Sequence, residues 1–104
     1  MDKMVDAFKA LSDKNRLFIL DMLSCGEMCA CEIMEGLELS QSTISHHMKV
    51  LQEAELVNGV KNGKWMNYSI NKEKVEEIKE FITYITNYKE DCICNEVRRN
   101  SDDN

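Results

Sequence analysis

Apolar residues recur at helical spacing in five stretches of this chain, and only residues 56–70 break that rhythm with a two-residue alternation around Asn62-Gly63. Together with a serine-capped, polar-faced segment from Leu39 to Leu51, these patterns predict a mainly α domain carrying one small β-hairpin. At 104 residues the chain is one domain on the small side. Its apolar content of 43% suffices for a core that a partner subunit can help to complete.

Taken in order, Met4, Val5, Phe8 and Leu11 define a first helix over residues 3–11. Ser12 or Asp13 then caps a second, in which Leu17, Phe18, Leu20, Met22 and Leu23 are apolar, and Gly26 ends it. A short third helix runs from Cys31 to Leu37 with Ile33, Met34 and Leu37 inward. Residues 38–40 make a tight connection, and Ser40 caps the fourth helix. Strands over 56–61 and 64–70 flank the Asn62-Gly63 turn. On the second strand Trp65, Asn67 and Ser69 share one face, and Lys64, Met66, Tyr68 and Ile70 the other. Trp65 is expected to pack on the last helix. Asn71 caps that helix, whose stripe is Val75, Ile78, Phe81, Ile82 and Ile85. Residues 1–91 thus form the domain, and 92–104 are expected as a polar, flexible tail holding a Cys-x-Cys pair. The order is four helices, a hairpin and a helix. Helices three and four form a helix-turn-helix, and the hairpin is its wing.

The fourth helix carries the chemistry. With Ile44, Met48 and Leu51 on its buried stripe and Val50 and Ala54 beside it, Gln41, Ser42, Thr43, Ser45, His46 and Lys49 fall on the outer face or in the exposed first turn. Gln pairs with adenine, Ser with several base edges, and Lys with guanine or phosphate. A helix N-terminus itself attracts phosphate. Lys61 and Lys64 flank the wing turn, where they suit the DNA backbone or minor groove. His47 points toward the core as a hydrogen-bonded packing residue. The expected partner is double-stranded DNA. The net charge of −6 predicts weak non-specific affinity and a shallow salt dependence, although most of the excess acid lies outside residues 34–70.

Five cysteines remain. The N-terminus is polar, with no secretory signal, and no apolar run is long enough to cross a bilayer. A cytoplasmic location is therefore expected, with the cysteines as thiols or thiolate ligands rather than disulfides. Cys29-Ala30-Cys31 lies at a loop-to-helix boundary, where both sulfurs can turn toward one centre. The helix N-terminus there favours thiolate, which selects soft ions. No nucleophile elbow, phosphate loop or paired catalytic carboxylates occur, so an enzyme is not expected, nor is an organic cofactor. The methionines are dispersed on apolar stripes and read as core.

Leu39 to Leu56 resembles the recognition segment of the ArsR/SmtB family of winged-helix metalloregulatory repressors, and so does Val57 to Ile70 with its Lys-Asn-Gly-Lys-Trp wing. Phe8-Lys9-Ala10-Leu11-Ser12-Asp13, followed by Arg16-Leu17-Phe18-Ile19-Leu20, is similar to that family's opening. The likeness covers residues 5–88. It implies a homodimer paired through the first and last helices, bound to a palindromic operator and released by a metal or metalloid. The stripe of the last helix fits such an interface, and fits equally the cover of its own core. Glu27-Met28-Cys29-Ala30-Cys31-Glu32-Ile33 resembles the thiol motif of the family's arsenic, antimony, cadmium and lead sensors, which makes As(III) or another thiophilic ion the expected inducer. The closest arsenic motif has a third cysteine three residues on, where this chain has Met34. Cys25, Cys92 and Cys94 are the candidates for the missing sulfur. The family's zinc and nickel site needs histidines on the last helix, and both histidines here, His46 and His47, lie elsewhere. Three functions stay open: a metalloid- or metal-responsive repressor, whether for As(III), Sb(III), Cd(II), Pb(II) or Zn(II); a thiol redox-sensing repressor; and a winged-helix interaction or zinc-storage module that does not bind DNA.

Overall fold

Helix boundaries in the computed structural model, which describes residues 1–90 and 93–102, follow the side chains able to satisfy free amides. Helix α1 spans Asp2–Leu11 and α2 Lys14–Leu23, with Asp13 accepting from the backbone N–H of Arg16 at the start of α2. A two-residue strand, β1 (Met28–Cys29), leads into α3 (Ala30–Leu37). Helix α4 (Gln41–Glu53) begins at Ser40, whose hydroxyl accepts from the N–H of Thr43. Strands β2 (Val57–Asn62) and β3 (Trp65–Ile70) form the wing. Asn71 caps α5 (Lys72–Thr86).

The main departure from expectation is β1. The wing is the larger part of a three-stranded antiparallel sheet in the order β1-β3-β2, with Met28 opposite Tyr68 and Cys29 opposite Asn67. Two residues carry no periodicity, so nothing in the sequence around Met28 announces a strand. The hairpin turn also sits one residue later than expected. Asn62 pairs with Trp65, which leaves Gly63 and Lys64 as the turn, with Gly63 at φ +64 where a side chain is disfavoured. Trp65 therefore stands at the wing tip beside the ammonium of Lys64, 37% exposed, instead of packing on the last helix. The stretch expected as a polar tail contains a sixth helix, α6 (Ile93–Asp102).

The core gathers one face from each element. Ile19 and Leu23 of α2, Ile33 of α3, Ile44, Met48 and Leu51 of α4, Leu56 and Val57 at the start of the wing, and Tyr68 of β3 are all buried. Along α2 the expected apolar set, Leu17, Phe18, Leu20, Met22 and Leu23, passes over Ile19, which is fully buried; Leu20 packs against the core, while Leu17 and Phe18 face out at about half exposure. Phe81 of α5 meets Phe8 of α1 at 6.1 Å between ring centres. Beyond it α5 leaves Ile82, Tyr84 and Ile85 exposed, and Val5 of α1 is exposed as well. None of the described helices is long and apolar enough to cross a membrane.

Candidate DNA-reading surface and thiol site

Most of the side chains expected to meet DNA face outward in the fold. Gln41, Ser42, Ser45, His46 and Lys49 are exposed on α4, while Ile44, Met48 and Leu51 lie opposite them in the core. Thr43 is half-buried and engaged locally, since Ser40 Oγ lies 2.9 Å from its hydroxyl and 3.3 Å from its backbone nitrogen. Within that first turn Thr43 helps to hold the helix start, leaving Gln41 and Ser42 outward. The connection from α3 is made by Glu38 in the left-handed conformation at φ 55, its N–H returned to Met34 O at 2.9 Å. This corner fixes α3 and α4 as a helix-turn-helix. Lys61 and Lys64 are exposed on the wing, Lys61 on β2 and Lys64 in the turn itself.

The far end of α4 is fastened to α5. The backbone N–H of Asn71 donates to Leu56 O and its side-chain amide to Glu55 O, both at 2.9 Å. The buried Lys74 ammonium lies between Glu55 at 3.8 Å and Glu77 at 3.7 Å. The contacts to Glu55 and Leu56 were not legible beforehand, because they join residues brought together only by the fold, whereas Lys74 and Glu77 are neighbours three apart on α5.

His47 is buried, as expected, and its Nδ1 lies 3.2 Å from Nη1 of Arg16, which places Arg16 behind the reading helix. Burial is the main cause that holds the His47 imidazole below its ordinary value of 6.5. Arg16 and His46 add to the effect, and Asp13 opposes it. Asp13 is itself held below the usual carboxylate range, first by the backbone N–H of Arg16.

Cys29 and Cys31 come together, but as a disulfide with Cα atoms 5.3 Å apart, which corrects the expectation that they are free thiols. The spacing explains it: an extended residue followed by the first turn of a helix turns both sulfurs to one point, within the range a bridge allows. Cys29 also caps α3. Its sulfur accepts from the N–H of Glu32 at 3.4 Å, and the Glu32 carboxylate accepts from the N–H of Cys29 at 3.0 Å. Its backbone is paired with Asn67 in the wing. Among the described residues no group of three or more metal-binding side chains assembles, so no third ligand stands beside the pair. Cys25 is exposed and free, just past the end of α2. Cys94 on α6 is disulfide-bonded, and Cys92 lies outside the described residues.

Residues 13–59 match the family described as bacterial regulatory protein, arsR family. The arsenical resistance operon repressor of Staphylococcus xylosus is 44% identical over 90 residues, 86% of each chain. Among solved structures, an ArsR-like transcriptional regulator from Rhodococcus sp. RHA1 superposes with a TM-score of 0.74 at 25% identity, covering 96% of this chain and 88% of that one. The homodimeric winged helix-turn-helix DNA-binding domain Mb0332 from Mycobacterium bovis does so at 0.68 and 27% identity, over 81% and 78%.

Proposed function

This chain belongs to the bacterial ArsR family of DNA-binding transcriptional regulators, and from that premise we propose that it represses an arsenical resistance operon and leaves its operator when Cys29 and Cys31 are taken up by As(III) or a like thiophilic ion. The observation that carries the reading is the position of the thiol pair. One of the two sulfurs caps α3, and the same residue is laddered to the wing.

In the reduced protein both sulfurs are soft donors directed to one centre, which suits a trivalent arsenic or antimony that takes up to three thiolates. Two positions fall to Cys29 and Cys31. Cys25, Cys92 and Cys94 are the chain's own candidates for the third. A Cys29 sulfur engaged in this way gives up its acceptor role toward the Glu32 N–H, so the first turn of α3 must rearrange. Helix α3 packs on α4 and on β3, so the change reaches the reading helix and the wing by two short routes. Coupling of this kind typically amounts to about 1–3 kcal/mol. The homologous homodimer and the exposed Val5, Ile82 and Ile85 support pairing through α1 and α5, which would set two α4 helices against a palindromic site.

The test is a Cys29→Ser, Cys31→Ser variant titrated on DNA from upstream of its own gene. Arsenite should weaken wild-type binding by about tenfold or more and leave the variant's affinity unchanged. Normal release of the variant would refute the thiol assignment, and no binding by either protein at low salt would refute repression.

A second reading is favoured by the Cys29–Cys31 disulfide itself. In it, the same pair responds to oxidation, two thiols giving up two protons and two electrons to a peroxide. Release by peroxide but not by arsenite would select it.

A further inference from the structure

Arg16 sits where three helices meet. Its Nε donates to Ala10 O at 2.6 Å, close to the end of α1. Its backbone N–H donates to Asp13 Oδ1 at 3.1 Å, and its Nη1 lies 3.9 Å from the same carboxylate. The same Nη1 donates to His47 Nδ1 at 3.2 Å, across 31 residues of sequence. A guanidinium has no acceptor, so the His47 ring must receive this bond with an unprotonated Nδ1. His47 therefore carries its proton on Nε2 and is neutral. The side chain lies on the opposite side of α4 from Ser45 and Lys49 and is 7% exposed, so a ring fixed here fixes the rotation of the helix.

We propose that Arg16 and His47 are positioning residues for DNA recognition, a latch that aligns α4 with the ends of α1 and α2 and makes operator affinity fall in acid. The proposal rests on α4 being the DNA-reading helix and extends that reading. Protonation of His47 places a second N–H donor against Arg16, which abolishes the bond and sets cation against cation. The charges acting on the ring are Asp13 and Arg16 from α2 and His46 from its own helix; none from α3 or β2 is among them. From α1, Asp6 and Lys9 line the adjoining cleft together with Arg16 and with Glu53 of α4.

Burial makes the neutral ring the stable form, so the folded protein binds this proton less readily than the unfolded chain does. The latch is therefore complete above the ordinary imidazole value of 6.5 and is lost as pH falls from there through the lowered folded-state value. Loss of the latch removes the Arg16 bridge between the end of α1 and α4, leaving apolar packing alone to set the rotation of α4 against it.

The experiment measures affinity for a labelled duplex from upstream of the gene, across pH 5.5–8, for wild type, His47→Gln and Arg16→Lys. Melting temperature is recorded for each protein at every pH. Wild-type affinity should fall about tenfold for each unit by which protonation disfavours the bound form. In His47→Gln the amide oxygen of the new side chain still accepts from Arg16 and does not titrate. That variant should bind as wild type does near neutrality and lose the acid-dependent fall. Arg16→Lys should bind more weakly at every pH. A wild-type profile that is flat while binding is intact overturns the latch alone, as does a His47→Gln variant that keeps the slope. Absence of wild-type binding at every pH overturns the DNA-reading premise together with the latch.

Discussion

Helices α3 and α4 follow one another and begin in the same way, at an extended residue whose side chain accepts the amide three positions on. The accepting atoms differ. Ser40 offers a hydroxyl at 3.3 Å, reinforced by the hydroxyls of Ser42 and Thr43. Cys29 offers a sulfur at 3.4 Å and needs the return bond from Glu32 to complete its capping box. A hydroxyl at an N-cap keeps its acceptor under any cellular condition. Sulfur is a weaker acceptor, and its lone pairs are also what a soft ion or an oxidant reacts with. On the proposed function, the start of α4 is thus unconditional, while the start of the helix packed against it depends on the state of the Cys29–Cys31 pair. A protein whose DNA grip must yield to a signal can place the conditional element one helix away from the reader, so that recognition itself stays well formed.

This contrast can be broken in graded steps. Replacing the unconditional cap, Ser40→Ala, should have the largest effect on stability, about 1 kcal/mol in urea unfolding, with weaker operator binding because the first turn of α4 frays. An unchanged midpoint would mean that the cap is idle. Removing the supporting half of the α3 box, Glu32→Ala, should cost less, about 0.5 kcal/mol, since only one exposed charge-assisted bond is lost. Operator affinity of that variant in the absence of inducer should be close to normal, and a drop as large as that of Ser40→Ala would erase the distinction between the two helices. The smallest change, with the opposite sign, is expected for Cys29→Ser. A serine is the better cap, so stability measured under reducing conditions should hold or rise by a few tenths of a kcal/mol while response to the inducer is lost. A fall in stability would mean that the sulfur contributes packing that a hydroxyl cannot replace.

Much of the site was legible before folding because it depends on close neighbours. The places of Ser40 and Asn71 before apolar periodicity mark them as caps, and those of Ser12 and Asp13 leave two candidates for α2, of which Asp13 is the one that caps; each of the three caps accepts the amide three residues on. The stripe of Ile44, Met48 and Leu51 set the orientation of α4 and exposed Gln41, Ser42, Ser45, His46 and Lys49 without further information. Where the pattern was ambiguous the reading failed for definite reasons. Four consecutive apolar residues from Leu17 to Leu20 have no preferred helical face, and packing chose Ile19. The Asn62-Gly63 pair announced a turn, but pairing with β3 shifted its centre to Gly63 and Lys64. A one-residue spacing brings two cysteines together whether they bind an ion or each other, so the sequence set their meeting and not their bond.

By itself, then, the sequence determined the first five helices and the caps of α4 and α5, the buried and exposed faces of α4, the wing hairpin and the convergence of Cys29 with Cys31. These follow from interactions within about one helical turn or across one hairpin, where chain connectivity holds partners close. Only the tertiary structure decided that Cys29 is joined to the wing through Asn67, that Arg16 reaches His47, and that Lys74 and Asn71 fasten the end of α4. Those contacts link residues that are distant along the chain, and the loop entropy lost in forming them is recovered by burial of the common core. The parts of the device were therefore written locally, and the connections between them belong to the fold.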